Sequence, residues 1–122
     1  MMINVLLVED DIINQKVASR FLISCGFAVT IASDGAEALD LIKGKKYHLV
    51  LMDLQMPDMD GCEATSRIRA LDDPYYKTVP ILAFSASGGD VLEKVSLHGM
   101  TDFVTKPLQA DEMLRKLNQY IA

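Results

Sequence analysis

The stretch His48-Leu49-Val50-Leu51-Met52-Asp53 contains four consecutive apolar residues followed by a single carboxylate. A short, continuous apolar run is typical of a strand that is buried on both faces, as in a parallel sheet covered by helices. An aspartate directly after such a strand lies at the carboxyl edge of the sheet, where parallel sheets bind their ligands. The stretch therefore predicts an interior strand with a candidate functional residue at its end.

Similar apolar runs recur on both sides of this stretch. The predicted strands are Ile3–Val8, Phe27–Ala32, His48–Asp53, Pro80–Phe84 and Asp102–Thr105. The predicted helices are Ile12–Ser24, Ala36–Lys43, a segment from the Asp60 cap to Leu71, Asp90–His98 and Ala110–Ile121. This alternation predicts one α/β domain over residues 1–122, a (βα)5 doubly wound parallel sheet of order 2-1-3-4-5 with flavodoxin-like topology.

The first predicted helix has an apolar stripe at helical spacing. The stripe consists of Val17, Ala18, Phe21, Leu22 and Cys25, and we expect it to face the core. It leaves Ile12, Ile13 and Ile23 off the buried face. The segment Asp72–Lys77, which contains Pro74, is polar and predicts a turn.

Composition and charge exclude several classes of function. Of the 122 residues, 50% are hydrophobic and 24% are charged, which is ordinary for one globular domain. The net charge is −5 and no basic run occurs, so we expect neither nucleic-acid binding nor direct membrane contact. Cys25 and Cys62 have no close metal-binding spacing. They predict reduced thiols and a cytoplasmic location.

Four of the five predicted strands, all except the second, are expected to deliver a polar residue to the same cleft. Glu9-Asp10-Asp11 follows the first strand and Asp53 ends the third, and neighbouring strands lie about 4.8 Å apart. Crowded carboxylates repel one another unless a proton or a cation joins them, and oxygen ligands of this kind suit Mg²⁺. Ser85 and Lys106 follow the fourth and fifth strands. The set predicts a magnesium-dependent phosphoryl site in which Asp53 is the nucleophile.

These residues resemble those of response-regulator receiver domains, the phosphoacceptor modules of two-component signalling. The matching motifs are Glu9-Asp10, the segment from Met52 to Gly61, Ala83-Phe84-Ser85-Ala86 and Lys106-Pro107. All four occur in order at predicted strand ends. Three segments are most similar to the receivers of hybrid histidine kinases, which belong to phosphorelays: Val8 to Val17, Met56 to Thr65 and Gly99 to Phe103.

The resemblance implies a role for each residue of the site. Asp53 corresponds to the phosphoacceptor, and Asp10 to a direct Mg²⁺ ligand. Glu9 corresponds to a ligand that acts largely through water, and the backbone carbonyl of Gln55 to a third protein ligand. Lys106 and Ser85 correspond to the groups that bind phosphoryl oxygens. Ser85 and the aromatic residue Phe103 also correspond to the two residues of the family's conformational switch.

The resemblance also implies the partners. The donor would be the phosphohistidine of a histidine kinase or a histidine-phosphotransfer protein, and the chain would be a signalling module rather than a metabolic enzyme. It could be the cytoplasmic domain of a larger sensor kinase. Ile12 and Ile13, together with Pro107 and Leu108, form the expected docking surface for a helical bundle. The sequence leaves open whether the chain forms a homodimer.

Three other functions compete with this interpretation. A metal-dependent phosphatase with an aspartyl nucleophile would turn over small phosphate esters. A flavin-binding protein of the same fold would need a phosphate-binding loop after the first strand, where this chain has Glu9-Asp10-Asp11. A phosphorylation-independent interaction module would not need the acidic cluster or Lys106.

Overall fold

A computed structural model describes residues 2–85, 95, 98–106 and 109–121. Its strands are β1 (Asn4–Val8), β2 (Ala28–Ala32), β3 (Leu49–Asp53), β4 (Ile81–Ser85) and β5 (Asp102–Thr105). The helices of the described residues are α1 (Ile12–Ser24), α2 (Gly35–Gly44), α3 (Gly61–Arg69), α4 (Pro74–Thr78) and α5 (Ala110–Ile121). Most of the predicted helix Asp90–His98 lies outside the described residues.

The five strands form one parallel sheet of order β2-β1-β3-β4-β5, which confirms the predicted fold. The strand order reverses at β1, between its neighbours β2 and β3, and a reversal of this kind opens a crevice beyond the strand ends. Val8 pairs with Met52, and Asp53 pairs with Phe84 on the other side of β3. Ser85 pairs with Thr105. The ends of four strands therefore meet at one edge of the sheet.

Each face of the sheet carries its own hydrophobic core. One core includes Leu6, Val50, Met52, Ile68 and Ile81. The other core joins α1 and α5 to the sheet and includes Leu7, Leu22, Leu51, Leu82 and Leu117. Alternate residues of β1, β3 and β4 enter opposite cores, and this is why each of these strands contains four consecutive apolar residues.

Aspartate side chains begin the first four helices. Asp11, Asp34, Asp60 and Asp73 each accept a hydrogen bond from a backbone N–H in the first turn of α1, α2, α3 and α4, respectively. Gly26, with φ of +93°, follows α1 and ends it as predicted.

The prediction that Val17 faces the core is wrong, because 52% of its surface is exposed. Ala18 and Leu22 are buried, and Phe21 packs partly against the same core. Val17 lies about 100° around the helix from Ala18, on the side away from Leu22, and this rotation carries it off the buried face. The exposure expected for Ile12, Ile13 and Ile23 is confirmed.

The prediction of a turn at Asp72–Lys77 is also wrong, since Pro74–Thr78 forms the short helix α4. Pro74 occupies the first turn, where its fixed φ suits a helix, and the Asp73 side chain accepts from the Tyr75 N–H at 2.8 Å. The Tyr75 hydroxyl donates to the Tyr47 carbonyl at 2.8 Å. These contacts hold α4 against the core.

No helix among the described residues is long and apolar enough to span a bilayer.

Candidate functional site

The carboxyl edge of the sheet holds two buried carboxyl groups beside one ammonium. Glu9 is fully buried and Asp53 is 3% exposed. The Lys106 Nζ lies 2.7 Å from Glu9 Oε1 and 3.4 Å from Asp53 Oδ1. Lys106 follows β5, and its backbone N–H donates to the Ser85 carbonyl at 2.9 Å. Side chains at the carboxyl ends of three different strands therefore meet at one point.

Backbone contacts hold the two carboxyl groups in place. The Gln55 N–H donates to Asp53 Oδ1 at 3.1 Å, and the Asp11 N–H donates to Glu9 Oε2 at 3.2 Å. The Gln15 side-chain amide donates to the Glu9 carbonyl at 2.6 Å, so α1 fixes the backbone at the end of β1. A backbone N–H group therefore helps to orient each carboxyl group.

The environment of Asp53 strongly raises the pKa of its carboxyl group. Burial first, and then a hydrogen bond with the Glu9 carboxyl group, raise the pKa of Asp53 to about 7. The Gln55 N–H and the charge of Lys106 act in the opposite direction, because both favour the ionised form. A further cation placed among these groups would also favour the ionised form.

A third carboxylate makes the cluster suitable for a metal ion. One oxygen each from Glu9, Asp10 and Asp53 lies within 4.8 Å of the others. These are hard oxygen donors, the type that Mg²⁺ prefers. Asp11 is not part of this cluster, because its carboxylate caps α1 and accepts from the Asn14 N–H at 2.9 Å.

Gly61, the first residue of α3, packs directly against the backbone of Asp53. A Cβ atom at this position would lie 2.2 Å from the Asp53 carbonyl oxygen. The Gly61 N–H also donates to the Leu54 carbonyl at 3.3 Å. Only glycine allows α3 to approach the end of β3 this closely.

The comparison with protein families now identifies this arrangement. Residues 5–118 match the model of the response regulator receiver domain. The chain belongs to this family. The resemblance read from the sequence is therefore confirmed, together with the expected class of two-component and phosphorelay signalling proteins.

Curated relatives carry the receiver within longer proteins. The chain is 38% identical over 121 residues to hybrid signal transduction histidine kinase B of Dictyostelium discoideum. The match covers 90% of this chain but only 6% of that protein. The chain thus corresponds to a small part of that relative, in agreement with the expected similarity to hybrid-kinase receivers.

Solved receiver structures have the same fold. The receiver domain of a Pseudomonas aeruginosa sensor histidine kinase, with magnesium coordinated in its active-site cleft, is 36% identical, with a TM-score of 0.89. That match covers 99% of this receiver and 98% of the other chain. A second structure is the complex of the Saccharomyces cerevisiae phosphotransfer protein Ypd1 with the receiver domain of Ssk1. Its match is 32% identical, covers 98% of this receiver and 89% of that chain, and has a TM-score of 0.86.

The structure brings most of the predicted site residues to this edge. Glu9, Asp10, Asp53 and Lys106 lie together, and the buried Ser85 ends β4 at the same edge. The Gln55 backbone is in contact with Asp53 through its N–H; the role of its carbonyl as a ligand stays a prediction. Phe103 is the second residue of β5, two residues before the carboxyl end of the strand, and it is half-buried.

The predicted docking residues divide into two groups. Ile12 and Ile13 are exposed in the first turn of α1, beside Asp10 and Asp11. Pro107 and Leu108 lie outside the described residues. Val17 extends the exposed apolar surface by one turn along α1, because it faces solvent rather than the core.

Two residues that support the site were missed in the sequence. The sequence places Gln15 within a predicted helix and the matching segment from Val8 to Val17, and Gly61 at the end of the motif from Met52 to Gly61, but it assigns a supporting role to neither. Gly61 carried a signal, since a glycine at the start of a helix and soon after a functional strand end suggests close backbone packing. Gln15 carried none, because a glutamine in a helix is ordinarily a solvated residue.

Proposed function

We propose that this receiver accepts a phosphoryl group from a phosphohistidine onto Asp53 in a magnesium-dependent step, as one relay of a two-component or phosphorelay pathway. One observation carries the proposal: a buried carboxyl group at the switch-point edge lies within 3.4 Å of a lysine ammonium. A structural aspartate gains nothing from burial at this position, because desolvating a carboxylate is unfavourable. A nucleophile that must react away from bulk water does require it.

In the proposed site, Mg²⁺ would be held by the cluster of Glu9, Asp10 and Asp53, with the Gln55 carbonyl as a further ligand. The magnesium in the Pseudomonas receiver supports the choice of metal. Asp10 is the exposed member of the cluster and is proposed as a direct ligand. Glu9 is held by Lys106 and the Asp11 N–H, which favours a role through water. The metal supplies positive charge that offsets the charge of the phosphoryl oxygens.

Asp53 then acts as the nucleophile in an in-line transfer. One carboxylate oxygen forms a bond to phosphorus as the bond from phosphorus to the donor imidazole nitrogen breaks. The imidazole leaves with that electron pair, and the product is an aspartyl acyl phosphate. The Lys106 ammonium neutralises charge on the transferring oxygens, and the Ser85 hydroxyl donates to one of them. One phosphoryl group per molecule distinguishes this signalling reaction from metabolic turnover.

The proposed switch uses β4 and β5. Ser85 ends β4, and Phe103 pairs with Ala83 two residues earlier on the same strand. Movement of Ser85 toward a new phosphoryl group would therefore displace the paired backbone of β5 and, with it, Phe103. Phosphorylation in this account biases an equilibrium between two conformations.

The proposed donor is a histidine kinase or a histidine-phosphotransfer protein that docks on α1. Ile12, Ile13 and Val17 form an exposed apolar surface that begins beside Asp10. A helical bundle could bury this surface and bring its phosphohistidine to the acidic edge. The complex between Ypd1 and the Ssk1 receiver supports a partner of this class. We place the reaction in the cytoplasm, in keeping with the two free cysteines.

Intact mass spectrometry after incubation with acetyl phosphate tests the proposal. The wild type should gain one phosphoryl group with Mg²⁺ and none in excess chelator, and Asp53→Asn should gain none under either condition. An adduct that persists in Asp53→Asn would assign the nucleophile to another residue. Sustained hydrolysis of small phosphate esters would favour a phosphatase instead.

A further inference from the structure

One face of α5 presents three polar side chains to β5. Glu112, Lys116 and Tyr120 are spaced four residues apart and thus lie on the same face of the helix. Glu112 Oε1 accepts from both the backbone N–H and the hydroxyl of Thr105, each at 2.9 Å. Lys116 Nζ lies 2.8 Å from Asp102 Oδ1, and the Tyr120 hydroxyl donates to Asp102 Oδ2 at 2.6 Å. We call these three side chains and their two partners the β5 clamp.

The middle of the clamp covers Phe103. The Lys116 ammonium lies 5.1 Å from the centre of the Phe103 ring, a distance at which a cation is attracted to the ring face. Asp102 holds the ammonium in this position and also accepts from the Phe103 N–H at 2.8 Å. The side chains of Lys116 and Asp102 are only 15% and 18% exposed, so solvent screens the interaction weakly.

The clamp reaches around the edge of the sheet. Within the part of the chain that the structure describes, β5 is an edge strand that pairs only with β4. Val104 enters the core shared with α5, whereas Phe103 packs against the core on the other face. Lys116 thus extends from a helix on one side of the sheet to an aromatic ring on the other.

The clamp also ends beside the candidate site. Thr105, which is bound by Glu112, directly precedes Lys106. The strand β5 therefore contains the proposed switch residue Phe103 and is followed by Lys106 of the candidate site. Side chains of α5 are bonded to both ends of this strand, at Asp102 and at Thr105. A change in the position of either residue must be accommodated by α5.

We propose that Lys116 is a positioning residue for the aromatic switch, holding the Phe103 ring in its resting orientation through the clamp. The inference deepens the proposed function, on which the switching role of Phe103 rests. An ion pair that only stabilised the end of the sheet would leave the ring orientation unchanged when the cation was replaced by an apolar side chain of similar length. Positioning of the ring requires the cation itself.

Fluorine NMR of the full chain labelled with 4-fluorophenylalanine tests this inference. The chain has four phenylalanines, and the spectrum of Phe103→Leu assigns the Phe103 resonance. We expect Lys116→Met to shift or broaden that resonance while leaving the other three in place. Lys116→Arg should restore the wild-type position because it keeps a cation. Lys43→Met, which removes an exposed lysine from α2, serves as the matched control and should leave the spectrum unchanged.

An unshifted Phe103 resonance in folded Lys116→Met would overturn the inference. If Lys116→Met does not fold, Asp102→Asn removes the anchor of the ammonium and is judged by the same criterion. Spectra recorded with Mg²⁺ and acetyl phosphate separate the inference from the proposed function. A Phe103 resonance that responds to Lys116→Met but not to phosphorylation of the wild type would support positioning by Lys116 and contradict the switching role of Phe103.

Discussion

Among individual residues, Gly61 sets how closely α3 approaches the proposed phosphoacceptor. We predict that Gly61→Ala lowers the free energy of unfolding by about 1–3 kcal/mol, because the new Cβ would lie 2.2 Å from the Asp53 carbonyl oxygen. Displacing this backbone should also slow phosphorylation by acetyl phosphate by roughly one to two orders of magnitude. Chemical denaturation and the time course of adduct formation measure the two effects.

Gly44→Ala is the matched control for this substitution. A Cβ at Gly44 meets no atom within 4 Å, so the variant should unfold and react as the wild type does. If Gly61→Ala were as stable and as reactive as Gly44→Ala, the close contact between α3 and Asp53 would have no functional consequence.

The sequence predicted the charged residues of the site better than the residues that support them. The sequence points to Glu9, Asp53 and Lys106 because each lies at the end of a predicted strand, and the ends of parallel strands meet at one edge. Gln15 contacts the Glu9 backbone through a side chain six residues away, and no periodic pattern reports such a contact. Val17 was misplaced because a residue at the margin of a helical stripe can face either the core or the solvent.

At the scale of elements, α1 carries the proposed docking surface. We predict that Ile13→Asp slows phosphotransfer from a phosphorylated histidine-phosphotransfer protein such as Ypd1 by roughly tenfold, since losing one apolar anchor costs above 1 kcal/mol. Phosphorylation by acetyl phosphate, which requires no docking, should be unchanged. Radiolabel transfer measured with each donor gives the two rates.

Ile23→Asp provides the control on the same helix. Ile23 is 59% exposed, close to the 71% of Ile13, but it lies at the opposite end of α1 from the acidic edge. The Ile23→Asp substitution should leave the rate of phosphorylation unchanged with both donors. Equal losses with Ile13→Asp and Ile23→Asp would contradict a docking surface at the start of α1.

The attachment of α5 to β5 predicts a pH dependence of stability. The hydrogen bond to Asp102, followed by burial, raises the pKa of Tyr120 to about 12, above its ordinary value of 10.0. Folding thus favours the protonated phenol, which stabilises the folded protein. This contribution to the free energy of unfolding is complete below about pH 10 and disappears as the pH rises through 12. Lys116 and Tyr120 are the α5 groups bonded to Asp102.

Tyr120→Phe measures this contribution directly. At neutral pH, the variant should be less stable than the wild type by roughly 1 kcal/mol, the usual value of one hydrogen bond. The difference in unfolding free energy should shrink as the pH rises above 10. A difference that stayed constant between pH 8 and pH 12 would show that the phenol does not titrate differently in the folded protein.

The bonds between β5 and α5 show what the prediction of helices and strands from sequence leaves out. The bounds of β5 and α5 were predicted from their apolar patterns, but the clamp joins them through polar residues of both elements. Polar side chains on a helix are ordinarily solvated, and the sequence does not distinguish a solvated row from one that binds a strand. The helix α4 was missed for a similar reason, because its capping aspartate and proline also favour a turn.

At the scale of the whole molecule, the fold was predictable almost completely. Apolar runs that alternate with amphipathic helices require a covered parallel sheet, and right-handed crossovers leave few strand orders. The confirmed order places β1 and β3 side by side, which brings Glu9 and Asp53 together. Function then depends on whether the carboxyl group at the end of β3 accepts a phosphoryl group.

The most direct test identifies which residue carries the phosphoryl group. The protein is incubated with acetyl phosphate and Mg²⁺, the acyl phosphate is reduced with borohydride, and the digested peptides are sequenced by mass spectrometry. We predict that residue 53 alone is converted from aspartate to homoserine, and only when Mg²⁺ is present. Conversion at Glu9 or Asp10 instead, or no conversion in a protein that binds Mg²⁺, would contradict it.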